Sequence, residues 1–147
     1  MKQIFETNRD LFTISTDISR LDMNAVYEFL SRAYWAKTRP REYTDLAFSN
    51  SLVFGMYEGK RLVGMARVVT DFCIVAYLCD VFIHEDVRGQ GLGKWLMQSI
   101  LEHPDLKHIR RWLLATDDAH GLYQQFGFEP LPDVEKWMQR LRPFPGE

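Results

Sequence analysis

Apolar and hydroxyl residues alternate loosely from Leu11 to Thr16, which predicts a half-buried edge strand. Asp22 then stands as a helix cap ahead of Val26, Phe29, Leu30 and Ala33, whose spacing predicts a helix to about Ala33 with that stripe buried. The run Tyr34-Trp35-Ala36-Lys37-Thr38-Arg39-Pro40 reads as a loop, with Pro40 at the first position of a second helix. That helix continues from Glu42 to Phe48, and Asn50 stops it. Two strand-like runs come next, Ser51 to Tyr57 and Leu62 to Thr70, joined by the hairpin composition Glu58-Gly59-Lys60-Arg61 and therefore antiparallel. Ile74 to Ile83 is too apolar for an edge and predicts a central strand covered on both faces.

Beyond a glycine-rich turn, an amphipathic helix spans Leu92 to Leu101 and ends at His103-Pro104. A short strand is expected over Arg111 to Thr116. Asp117-Asp118 then caps a helix through Tyr123 and Phe126 that stops at Gly127, and a final strand is expected over Lys136 to Leu141. This order gives an α/β (α+β) domain, a mixed sheet with helices on both faces. The 147 residues suit one domain, 1–147, with neither repeat nor Pro/Gly-rich linker dividing it. Such a length buries about two-thirds of the unfolded surface without a metal or disulfide staple.

The formal charge of -2 gives no electrostatic case for nucleic acid or an anionic membrane, which leaves small molecules or single protein sites as partners. No long apolar run suggests a membrane span or a signal peptide, so a cytoplasmic location is expected. Cys73 and Cys79 read as buried free thiols of a reducing compartment. His84, His103, His108 and His120 are scattered without ligand spacing, so no metal is expected.

The chemistry concentrates in Val87-Arg88-Gly89-Gln90-Gly91-Leu92-Gly93-Lys94. Alternate glycines between a strand and a helix let successive N–H groups converge where the helix dipole is positive, and a phosphate or pyrophosphate is the natural guest. The spacing is neither the Gly-x-Gly-x-x-Gly of a dinucleotide fold nor a Walker loop, since Trp95 follows Gly93-Lys94 where Ser or Thr is required.

Loop and element order together resemble the GNAT superfamily of acyl-CoA-dependent N-acetyltransferases. Arg88-Gly89-Gln90-Gly91-Leu92-Gly93 is similar to its signature, and Asp80-Val81-Phe82-Ile83 precedes it at the usual distance. The resemblance implies a mostly antiparallel sheet with a splay between two central strands, here the one ending at Ile83 and Arg111 to Ala115. It also implies acetyl-CoA as co-substrate, with its pyrophosphate on the amides of residues 88–94 and its pantetheine arm along Val81, Phe82 and Ile83. In Ala119-His120-Gly121-Leu122-Tyr123-Gln124-Gln125-Phe126-Gly127-Phe128, Tyr123 takes the place of the family's general acid, which protonates the departing thiolate; on residues alone a packed core tyrosine stands beside that role. Thr116 replaces a common Asn at a pantetheine contact, and Cys79 replaces a carboxylate found in some members.

On the acceptor side, an amine is mostly protonated at neutral pH, and a nearby carboxylate or imidazole assists its deprotonation. Asp80, in an otherwise apolar strand, is either that catalytic group or the structural partner of Arg67, Arg88 or Arg111. Trp35 and Arg39 form an expected substrate wall, the arginine able to grip a carboxylate or phosphate. The function expected is acetyl transfer from acetyl-CoA to the primary amine of a small molecule. The alternatives are a non-catalytic acyl-CoA-binding regulatory domain and a protein lysine or N-terminal acetyltransferase. A homodimer edge is placed at Lys136-Trp137-Met138.

Overall fold

The computed structural model describes residues 3–147. Six strands form one sheet in chain order: β1 (Glu6–Arg9), β2 (Phe12–Ser15), β3 (Leu52–Glu58), β4 (Arg61–Thr70), β5 (Val75–Ile83) and β6 (Arg111–Leu113). The first five pair antiparallel, and β6 alone lies parallel to its neighbour. Helices α1 (Met23–Ser31) and α2 (Arg41–Ser49) cover one face, burying Val26, Phe29, Leu30 and Phe48 with Val53, Met65 and Phe82. Helices α3 (Leu92–Leu101) and α4 (His120–Gln124) cover the other, where Leu92, Leu96, Met97, Ile100 and Tyr123 meet Ile14, Phe54 and Leu78. The fold is thus α+β, mostly antiparallel, with helices on both faces. Among the described residues no helix is long and apolar enough to cross a membrane.

Two irregularities open the sheet at its centre. Met65 faces Phe82 but Arg67 faces Cys79, so Ala66 is matched by two residues, Asp80 and Val81, and Asp80 takes the left-handed φ of 52°. The inward phase of β5 slips accordingly: Ala76 and Leu78 point into the α3 core, then Val81 and Ile83 do so three residues on. The second irregularity is the short pairing of β6, which meets β5 only through Val75, Ala76 and Tyr77. Past Tyr77 the two strands part, and the edge of β5 toward β6 has no strand partner among the described residues: this is the splay.

Several expectations need correction. The edge strand is β1, whose Glu-Thr-Asn-Arg sequence has no apolar period, so β2 is an interior strand. The helix expected to reach Ala33 stops at Ser31, and Pro40 caps α2 instead of opening it. The central strand is not covered on both faces, since Tyr77 is 45% exposed. Strand β6 ends at Leu113 because its chain leaves the sheet at the splay. The final strand is absent: Val134–Lys136 is a single 3-10 turn, and Met138 and Leu141 lie exposed, so the expected dimer edge has no strand beneath it. Cys73 is exposed and Cys79 half-buried, so neither is a sealed core thiol.

Candidate active site

The glycine loop is fixed by its flanks, which leaves its amides free to point elsewhere. Arg88 Nε donates to the Ile83 carbonyl at 2.9 Å and Gln90 Nε2 to the Val87 carbonyl at 3.1 Å, tying the loop to the strand end. Gly89 and Gly91 hold φ of 83° and 77°, and Gly91 is the N-cap of α3 with no side chain to cap it. No protein group accepts the N–H groups of residues 89–94 among the described residues. Six donors at the positive end of a helix therefore await an acceptor, and the exposed Lys94 adds a formal charge. Arg9, at the tip of β1, brings Nη2 to 3.8 Å from where a Gly91 Cβ would stand. Sequence reading misses this second cation, because only the sheet order carries the polar strand to the loop.

The opposite wall of the splay is the connection from β6 to α4. Thr116 Oγ1 accepts from the Asp118 and Ala119 N–H groups at 3.3 and 3.2 Å, so Thr116 turns the chain into α4. Asp117 and Asp118 do not cap it, contrary to expectation. Leu122 Cδ2 lies 3.8 Å from the position of a Cβ on Gly93, which sets α4 beside the first turn of α3. That contact places Tyr123 next to the glycine loop. Tyr123 is buried and meets Phe128 edge-on at 5.9 Å, yet its hydroxyl has no hydrogen-bond partner among the described residues, unlike a tyrosine packed with its hydroxyl satisfied. Burial, with smaller effects from Tyr34 and the Asp118 charge, raises its pKa above the usual 10.0 and keeps the phenol protonated.

The third wall is an ion cluster at the β5 bulge. Asp80, its side chain fully buried, accepts from Arg39 Nη1 and Nη2 at 3.0 and 3.2 Å, Arg67 Nε at 2.8 Å and Trp35 Nε1 at 2.9 Å. Burial pushes the carboxyl pKa up, but the two guanidinium groups outweigh it and hold it below the ordinary value. A carboxylate so occupied is a poor proton acceptor at neutral pH. Of the three partners foreseen, only Arg67 pairs with Asp80; Arg88 is tied to Ile83, and Arg111 lies over the Trp137 ring. Arg39, expected to be free for substrate, has two of its nitrogens committed to Asp80. Cys79 is no alternative base, because burial raises its thiol to about 11.

Tyr34 and Trp35 meet edge-on at 5.1 Å, and the Tyr34 hydroxyl accepts from the Asp117 N–H at 3.0 Å. The loop between α1 and α2 is therefore pinned to both sides of the splay, by Trp35 and Arg39 on β5 and by Tyr34 beyond β6. His84 and Glu85, near the strand end, serve the turn: His84 Nδ1 accepts from the Asp86 N–H, and Glu85 pairs with Arg32 at 2.6 Å.

Known proteins are similar to this chain in sequence and fold. The model of the acetyltransferase (GNAT) family matches residues 23–128. A crystal structure from Xanthomonas campestris pv. campestris, assigned to the GNAT family as an acetyltransferase, superposes with a TM-score of 0.86 at 42% identity, covering 90% of this chain and 94% of that one. A protein of Gibberella zeae named as an acetyltransferase is 29% identical over 133 residues, 76% of this chain and 75% of its own. A GNAT acetyltransferase from Elizabethkingia anophelis, solved with acetyl-CoA bound, shares the fold at a TM-score of 0.65 and 18% identity, covering 87% of this chain and 85% of that one.

Proposed function

The chain belongs to the GNAT acetyltransferase family, and on that premise we propose that it moves an acetyl group from acetyl-CoA to the primary amine of a small molecule by direct attack. The observation that carries this reading is the juxtaposition of a cluster of unpartnered loop amides with an unpartnered, protonated tyrosine at one splay. Residues 89–94 bind the pyrophosphate through their N–H groups, with Arg88 holding the loop and Lys94 supplying charge. The free edge of β5 at Val81, Phe82 and Ile83 receives the pantetheine arm by strand-like hydrogen bonds, and an amide there polarises the thioester carbonyl. Thr116 shapes the far wall.

Acetyl-CoA supplies a thioester: the amine nitrogen bonds to the carbonyl carbon, the carbon–sulfur bond breaks, and the sulfur leaves with the electron pair. Tyr123 Oη gives its proton to that sulfur, a task suited to a phenol kept neutral by burial. Because the Asp80 carboxylate is held by its arginines as a weak base and the Cys79 thiol keeps its own proton, the amine's proton leaves through water at the mouth of the splay. Asp80 acts instead by holding Trp35 and Arg39 in place. The pinned loop narrows the acceptor side, which favours a small molecule over an extended peptide.

The test is thiol release from acetyl-CoA across amines, amino acids, polyamines and lysine peptides. Release with peptides alone would transfer the acceptor role to proteins. Tight acetyl-CoA binding without release on any acceptor would leave a binding domain only. In the same assay Tyr123→Phe is expected to lower kcat at least about tenfold, equivalent to about 1.4 kcal/mol, with acetyl-CoA affinity unchanged. An unchanged kcat removes Tyr123 as the acid.

A further inference from the structure

The cluster at the β5 bulge is not electrically balanced. Arg39 and Arg67 bring two positive charges to the single negative charge of Asp80, and no other carboxylate lies within 4.0 Å of either guanidinium among the described residues. Their side chains are only 14% and 13% exposed, so water screens the surplus poorly. Donors remain as well. Of its five N–H groups Arg67 uses one at Nε on Asp80 and one at Nη1 on Ser51 Oγ at 3.1 Å, and Arg39 uses one at each Nη on Asp80, so each guanidinium keeps three N–H groups. Beside them Tyr34 and Trp35 offer aromatic surface that is 48% and 40% exposed.

An acceptor that is only an ammonium ion meets a like charge here, whereas one that also carries a carboxylate cancels the surplus. We infer that the acceptor is an amine bearing a carboxylate, as an amino acid does, and that the remaining Arg39 and Arg67 donors bind that carboxylate while the apolar part lies on Tyr34 and Trp35. This rests on the acetyl-transfer reading of the same site. The one surplus charge matches a carboxylate's single charge, while a phosphate monoester brings about 1.5 to 2 charges.

The test uses the full chain with coenzyme A bound, titrated calorimetrically with matched pairs: phenylalanine and phenethylamine, tyrosine and tyramine, lysine and cadaverine, with phosphoethanolamine as the phosphate probe. Binding of the carboxylated member at least about tenfold tighter is expected in at least one pair. Arg67→Gln should reduce that preference to within about twofold with acetyl-CoA affinity unchanged, and Arg67→Lys should restore part of it. Equal or weaker binding of every carboxylated member, a preference that survives Arg67→Gln, or tightest binding of phosphoethanolamine would overturn the inference. Acetyl-CoA affinity is measured separately, so failure of the acetyl-transfer reading is distinguishable from failure of this one.

Discussion

Replacing Gly91 with valine is expected to weaken acetyl-CoA binding at least about a thousandfold, or about 4 kcal/mol, while the protein stays folded. Two effects add. A φ of 77° is left-handed, where a non-glycine residue costs about 1–2 kcal/mol and a β-branched one is a genuine outlier. The new side chain also stands among the amides of residues 89–94, where the pyrophosphate is proposed to sit. Crowding within the protein is slight, since the nearest atom to a Cβ there is Arg9 Nη2 at 3.8 Å, at the end of a flexible side chain. Folding therefore survives where binding does not. Gly59→Val is the control: its φ of 61° in the β3–β4 turn imposes similar strain, and a Cβ there meets nothing within 4 Å, the loop included. Its acetyl-CoA affinity should stay within about twofold of the parent. Calorimetric titration of both variants decides the matter, and retained binding in Gly91→Val would sink the assignment of the loop.

Which elements are legible in the sequence depends on the range of the forces that form them. Helix α3 is legible to the residue because its apolar stripe and the glycines before it are local signals, and the β3–β4 hairpin is legible because two residues, Gly59 and Lys60, make its turn. Strand β1 escapes because an edge strand can be polar on both faces, and its Glu6 is paired at 2.9 Å with Arg20 of the turn that follows β2. The run from Lys136 to Leu141 has strand composition, but no strand among the described residues pairs with it. At the site, the glycine loop is legible as an anion cradle because backbone conformation depends on residue type there. The ion cluster is half legible: a carboxylate in an apolar strand requires a cation, and Arg67 stands on the neighbouring strand. Arg39 is not, since its reach to Asp80 spans the loop between two helices and depends on how that loop packs. Thr116 and Asp118 show the converse, because the local signal marks the turn into α4 but points to the wrong side chain: Thr116 Oγ1 accepts there, and the N-cap, Ala119, has no side-chain cap.

The bulge and the cluster also explain one another. The extra residue in β5 swings the Asp80 side chain out of the strand's alternation and toward the loop between α1 and α2, at the cost of a left-handed backbone that Asp tolerates better than most residues. The four hydrogen bonds on its carboxylate hold that strained position in place. The same displacement leaves the next residues, Val81 to Ile83, presenting a free edge at the splay. A change at Asp80 therefore acts on stability, loop position and the free edge together.

Asp80→Ala is accordingly expected to destabilise the fold by about 3–5 kcal/mol, because it leaves two buried guanidinium groups facing each other with no anion between them. The pH dependence carries the sign of the cause. The folded-state pKa of Asp80 lies below its unfolded value near 3.8, so the ion cluster's contribution is fully present above that value and is lost as pH falls through the folded one. The parent should therefore lose stability on acidification in a step that the alanine variant lacks, read by urea denaturation across pH 2.5 to 7 (about the range set by carboxylate pKa values). A cost below about 1 kcal/mol, or parallel acid profiles for the two proteins, would show that the arginines are satisfied without Asp80. Asp80→Asn separates charge from geometry, since the amide oxygen still accepts from Trp35 and asparagine accepts the left-handed backbone. If Asp80 positions the loop and moves no proton, the asparagine variant acetylates its acceptor more slowly, but the acid limb of its kcat profile stays where the parent's lies. A limb that vanishes in this variant would return the role of base to Asp80.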